Sequence, residues 1–310
     1  MKYRHVPVMP KEVLQAIQPK AGGRYADGTI GGGGHAALIL EASKTGSWLG
    51  GSDRDGAAVE AASSRLAPYG GQFEIRKGLF ASLADWIEPE SLDGVLLDLG
   101  VSSSQLDWPE RGFSLLRDGP LDMRMDQDQP LTAANIVNDE SEMNLADIIW
   151  RFGGERESRK IAKAIVRARE KYEIRTTKEL AEIVEGVKPR RGKKTHPATK
   201  VFQGLRIKVN DEFGELKKGL KSVSSLLKES GRLVVITFHS GEDRIVKDYG
   251  RVETRDYDMP GEEDVPALRI DRPARMRWVN RKAIRATEYE VTENPRARSA
   301  QLRVLEKLRM

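Results

Sequence analysis

Short apolar runs and helix-spaced stretches alternate through the first hundred residues. Tyr25-Ala26 leads into Asp27, and Ser47-Trp48-Leu49 leads toward Asp53 across Gly50-Gly51. Phe73-Glu74-Ile75-Arg76 and Gly94-Val95-Leu96-Leu97-Asp98-Leu99 follow. Such runs predict strands, the last of them buried on both faces. Residues 13–17, 36–42 and 56–66 between them carry helical spacing. Strands alternating with helices predict an α/β class with a parallel, doubly wound sheet.

The rhythm stops near Asp107. Residues 107–138 are rich in Asp, Pro, Arg and Met, with turn signals. Helical spacing returns at 145–152 and 157–172, where Ile161, Ala164, Ile165 and Ala168 form one stripe. Thr176-Thr177 with Glu179 opens a helix over 180–187. A basic loop follows at 189–194. Residues 199–209 then place Val201, Phe202, Leu205 and Val209 on one face. Sheet rhythm resumes with a helix at 213–227, a strand at 231–238 and a final strand pair at 283–291 and 301–306. The pattern predicts one α/β domain, residues 1–106 plus 212–310, split by a mostly helical insertion at 107–211.

Composition narrows the chemistry. None of the 310 residues is cysteine, which excludes disulfides, thiolate zinc, iron–sulfur clusters and a cysteine nucleophile. No apolar run approaches the roughly 18 residues of a membrane span, and no signal-peptide core opens the chain; the simple reading is cytoplasmic, with no membrane partner. The net charge of +5 is unevenly spread. Residues 151–211 hold 18 Lys/Arg against 8 Asp/Glu, an excess that fits a polyanion partner or a solvated, salt-bridged face.

The sharpest signal is Asp27-Gly28-Thr29-Ile30-Gly31-Gly32-Gly33-Gly34-His35, with Asp53 following Gly34 by 19 positions. Glycines let a backbone turn tightly beside a nucleotide, and an acid about 20 residues on can accept bonds from ribose hydroxyls. Gly31, Gly33 and Ala36 also fit the loose dinucleotide pattern, so a nicotinamide cofactor stays open. Asp98 ends the fourth strand, beside the topological switch point, with Ser102-Ser103-Ser104-Gln105 after it. Arg111-Gly112-Phe113-Ser114 and residues 119–125 suit a base pocket or a packed loop. Lys200, Gln203 and Arg206 share a helix face that suits phosphates or plain amphipathic packing. His239 follows the fifth strand as a base, a structural residue or an RNA contact. The four histidines lack metal-ligand spacing, so no metal site is expected. No G-x-S-x-G elbow surrounds the serines, which argues against a hydrolase.

Together these segments resemble one family, the bacterial methyltransferases of the exocyclic N(4) amine of a cytidine at the decoding centre of 16S ribosomal RNA. The matching stretches are His5-Val6-Pro7-Val8, residues 27–35, Asp53-Arg54-Asp55, Gly78-Leu79-Phe80, residues 96–105, 111–114, 119–125 and 196–210, Phe238-His239-Ser240 with Glu242-Asp243-Arg244, and residues 294–299. They run in family order over nearly the whole chain. The resemblance implies a class I (Rossmann-like) methyltransferase that binds S-adenosylmethionine, with a helical insertion after the fourth strand. It implies cofactor contacts from Gly33, Gly34 and His35 in the turn, Asp53 on the ribose, Phe80 by the adenine, and Asp98 and Gln105 near the methionine end. It further implies 16S ribosomal RNA in the small subunit as partner, with Trp108 or Phe113 stacking on the target base, and Arg111, Lys200, Gln203, Arg206 and His239 as RNA contacts. Asp98, or a carbonyl near Leu99-Gly100, would accept from the target amine. The oligomeric state stays open, a homodimer included. Gly50-Gly51-Ser52, Gly32 and Gly241 depart from the family pattern. An idle assembly protein and a nicotinamide-dependent dehydrogenase are the rival readings.

Overall fold

A computed structural model describes residues 7–190, 192, 195–259, 261 and 264–309. His5, Val6 and the loop residues Arg191, Lys193 and Lys194 lie outside them. The chain forms two compact units, residues 1–100 with 213–310, and residues 101–212.

The strands of the first unit are β1 (Arg24–Asp27), β2 (Trp48–Asp53), β3 (Phe73–Lys77), β4 (Leu92–Asp98), β5 (Leu227–Thr237), β6 (Tyr257–Asp258), β7 (Ile270–Asp271), β8 (Met276–Trp278), β9 (Ile284–Arg285) and β10 (Gln301–Lys307). The main sheet runs β3-β2-β1-β4-β5-β10-β8, with β9 pairing β10. β1 to β5 are parallel, and β10 closes antiparallel on β5. The chain reverses its progress across the sheet between β1 and β4, the crevice where such folds bind ligands.

The period of two along β4 explains why the sheet is covered twice. Leu96 joins Val234, Ile236, Leu302 and Val304 in one cluster, packed by helices α1 (Pro10–Ile17), α2 (Gly34–Ser43) and α3 (Gly56–Leu66). Val95 and Leu97 join Leu233, Val235 and Leu305 in the other.

The second unit is helical: α4 (Ser103–Asp107), α5 (Ala133–Asp139), α6 (Glu142–Arg151), α7 (Ser158–Arg169), α8 (Thr177–Val187) and α9 (Thr199–Val209). Its core is its own, built around Leu121, Ile136, Leu145, Ile149, Ile161, Ile165, Leu180, Val184 and Leu205. Thr176 and Glu179 form the capping box at the start of α8. α10 (Glu212–Ser225), α11 (Ser240–Glu253) and α12 (Glu288–Glu293) complete the chain. Leu216 and Leu220 of α10 and Val246 of α11 cover the second sheet face. Among the described residues no helix is long and apolar enough to cross a membrane.

Three sequence expectations change. The strand expected at 283–291 shrinks to Ile284–Arg285, because the Thr287 hydroxyl caps Glu290 N and starts α12. β5 begins at Leu227, where 213–227 was expected to be helix throughout. The helical unit begins at Val101, so Gln105 belongs to it and not to the sheet domain. The departures in β2 have a steric cause. A Cβ on Gly50 would lie 2.7 Å from Ile87 and 2.8 Å from the Trp48 ring, and one on Gly51 would lie 2.3 Å from Ile30. Phe213 likewise fills the space beside Gly241, at 2.4 Å. Nothing in the structure explains Gly32.

Candidate active site

β1 delivers Asp27 to the carboxyl edge of the sheet, and the glycine turn follows. Gly28 N donates to Leu96 O and Ile30 N to Ser52 O, each at 3.0 Å, which ties the turn to both neighbouring strands. Gly33 is left-handed at φ 72° and caps α2; a Cβ there would lie 3.2 Å from the Ala62 backbone. Gly34 and His35 open the helix, whose first backbone N–H groups make its positive end.

Four side chains meet at this edge, those of Asp27, Thr29, His35 and Asp98. Asp27 is 1% exposed. Its Oδ1 accepts from Thr29 N at 3.1 Å and from Thr29 Oγ1 at 3.5 Å. Thr29 Oγ1 in turn accepts from Asp98 N at 2.6 Å. Asp98 Oδ2 lies 3.6 Å from His35 Nε2. Among the described residues, both His35 ring nitrogens and Asp98 Oδ1 are buried without a hydrogen-bond partner. Burial pushes the Asp27 carboxyl up to about 7, the Asp98 and Asp53 charges adding and His35 and Thr29 N–H opposing. The sequence reading gave Asp27 and Thr29 no role; the signal available was Asp-Gly-Thr at a strand end.

Asp53 anchors the turn from β2. Its Oδ2 accepts from Gly31 N at 3.0 Å and its Oδ1 from Asp55 N at 2.9 Å. A carboxylate has about four acceptor sites, so capacity remains for hydroxyl donors. Burial raises this carboxyl to about 6, against the two N–H donors. Gly78 N donates to Asp53 O and brings the chain to Phe80. Phe80 is 8% exposed and lies between two glycines: a Cβ on Gly28 would sit 2.6 Å from Phe80 Cβ, and one on Gly219 would sit 1.9 Å from its ring.

His239 is the N-cap of α11. Its Nδ1 accepts from Gly241 N at 3.2 Å and Glu242 N at 3.4 Å, while Glu242 Oε2 accepts from Phe238 N at 2.8 Å. Of the roles left open for it, the structure supplies the structural one.

The remaining candidates lie in the helical unit. Gln105 is buried, and its Oε1 accepts from Ser102 N at 3.0 Å. Arg111 and Phe113 are 3% and 7% exposed. Arg111 Nη2 donates to Arg124 O and Met125 O, each at 3.0 Å, and Phe113 packs in the core of the unit. Asn210 holds the same loop, donating to Met123 O and accepting from Met125 N at 2.8 Å each. The expectation of RNA contacts from Arg111 and Phe113 is therefore corrected: both are interior struts of a packed loop, and Trp108 is the partly exposed aromatic beside them. Arg206 is held in a two-point pair with Glu212 at 2.8 Å. Lys200 is exposed, with Nζ donating to Gly154 O, and Gln203 is half-buried.

The sheet edge suits a nucleoside ligand with a cationic end. It offers a run of four glycines at 31–34, a ribose-ranged acid at Asp53, and unpartnered polar atoms on Asp98 and His35.

A model of the MraW methylase family matches residues 2–308. A ribosomal RNA small subunit methyltransferase H from Geobacter sulfurreducens is 49% identical over 313 residues, covering 99% of this chain and 100% of the relative. The protein of the same description from Gluconobacter oxydans is 47% identical over 302 residues, covering 97% and 92%.

Proposed function

Because the chain belongs to the MraW methylase family, we propose that this enzyme methylates the exocyclic N(4) amine of a cytidine at the decoding centre of 16S ribosomal RNA. It is an S-adenosylmethionine-dependent methyltransferase of small-subunit ribosomal RNA. That membership sets aside the dehydrogenase and the idle assembly protein.

The observation that carries the cytidine reading is the buried, unpartnered Oδ1 of Asp98 at the end of β4. A cytosine amine is a weak nucleophile because its lone pair is delocalised into the ring. An acceptor that takes one amine hydrogen localises that pair and stabilises the charge developing on nitrogen. Asp98 Oδ1 is such an acceptor, and its carboxylate can hold the proton the amine releases. Thr29 Oγ1 on Asp98 N and His35 beside Oδ2 fix its position. Position is the larger contribution, since the reaction needs an in-line approach and no covalent intermediate. The cofactor, when bound, supplies a methyl group on a sulfonium. The glycine turn, Asp53 and Phe80 would hold its nucleoside, and Asp98 would face its methionine end. A stacked or paired cytidine must be turned out of the RNA, and Trp108 offers a stacking face.

The test uses small subunits from cells lacking this modification, incubated with the protein and methyl-labelled S-adenosylmethionine. Label is expected in N(4)-methylcytidine; label in another nucleoside overturns the reading. Asp98→Ala is expected to slow transfer about 100-fold or more, the scale of losing a transition-state acceptor. A normal rate would remove Asp98 from the mechanism.

A further inference from the structure

α7 spends one face on the core of the helical unit and the other on a single sign of charge. Ile161, Ala162 and Ile165 are buried. Lys160, Lys163 and Arg167 stand on the opposite side at steps of three and four residues, and Lys171 follows two residues past the helix end, all exposed. Like charges at i, i+4 destabilise a helix. Lys163, Arg167 and Lys171 have no carboxylate in ion-pair range among the described residues, and Lys160 meets Glu157 only at 3.6 Å. Among the described residues, Lys163, Arg167 and Lys171 are thus left uncompensated.

The stripe also lines a cleft. A hollow of about 510 Å³ runs between these cations and Ile183 and Val187 of α8, with the half-exposed Tyr172 at one end. A second hollow of about 650 Å³ shares Lys160 and Val187 and continues past Arg190 and His196 to Lys200. Acids nearby are engaged: Glu155 with Lys188 at 2.6 Å, Glu179 with its capping bonds and Glu182 with Lys178 at 3.8 Å.

We infer that this groove holds a single-stranded segment of the ribosomal RNA substrate, with phosphates along the α7 cations and a base on Tyr172. The proposal rests on the ribosomal RNA reading above. Successive cations are about 6 Å apart along a helix axis, which suits consecutive phosphates of one strand. An apolar floor with an aromatic end is of no use to a duplex backbone, whereas unpaired bases and sugars pack on it.

The test compares the full chain with a Lys163→Gln/Arg167→Gln double variant, binding transcribed 16S ribosomal RNA over a range of salt. The variant is expected to bind about tenfold more weakly at low salt, with its log–log salt slope reduced by about 1.4. Cofactor affinity and thermal unfolding are expected to stay unchanged, and Lys163→Arg/Arg167→Lys to bind like the parent. Unchanged RNA affinity and slope overturn the groove, as does a parent chain that fails to bind this RNA. Binding that follows the stripe without methyl transfer by the parent overturns the functional reading and leaves the groove standing.

Discussion

Asp27 carries the strongest single-residue consequence. Its carboxyl is raised because it is buried, so the folded state holds a proton that the unfolded chain releases near the ordinary carboxylate range. The stability this confers is full below about pH 4 and is lost as pH rises through about 7. Asp53 behaves alike, losing its share through about 6. Carboxyls lowered in the fold, such as Asp93 beside Lys20 and Lys228, work in the opposite sense and already contribute fully above about pH 4. Stability is therefore expected to fall between about pH 4 and 7, by an amount on the order of a few kcal/mol. Asp27→Asn is expected to flatten that slope, as thermal unfolding across the range would show; an equally steep profile in the variant refutes the assignment. Little of this was legible beforehand. Asp27 stood in the motif, but its burial follows from β1 lying between β2 and β4, which pair with it opposite Gly51 and Leu96.

At the scale of elements, α11 shows a functional-looking residue doing structural work. His239 and Glu242 close the helix start between them. Glu242→Ala is expected to cost about 1–2 kcal/mol in denaturant unfolding. His239→Asn retains a capping acceptor and is expected to keep both stability and methyl transfer near the parent; lost transfer with intact stability would restore His239 to the reaction. The sequence marked the strands well where apolar runs were long, as in β4 and the second half of β5. It missed β6, β7 and β8, whose two or three residues hold no period. It read 283–291 as strand, while the deciding signal was the Thr287 cap. It marked Gly50-Gly51 only as a departure, since the Trp48 and Trp86 rings that need the space meet only in the fold, 6.2 Å apart.

At the scale of the molecule, the insertion was readable from the break in rhythm and from its charge. The groove was not, because it needs α7 and α8 side by side. Every buried member of the insertion core lies between Phe113 and Val209. A fragment of residues 101–212 is thus expected to fold alone and to unfold cooperatively in calorimetry; a featureless trace would show that its core depends on the rest of the chain. The same self-sufficiency bears on how the sheet assembles. β4 and β5 are neighbours, with Asp98 opposite Ile236, yet the whole insertion lies between them in sequence. A disordered chain of about 100 residues has a radius near 30 Å, against about 13 Å when compact. An insertion that collapses first shortens the loop the two strands must close, and each halving of loop length lowers the entropic barrier by about 0.6 kcal/mol. The helical unit is then a kinetic clasp for the sheet, and a lesion such as Ile149→Ala, buried in its core, would delay the moment when Asp98 reaches its place beside β5.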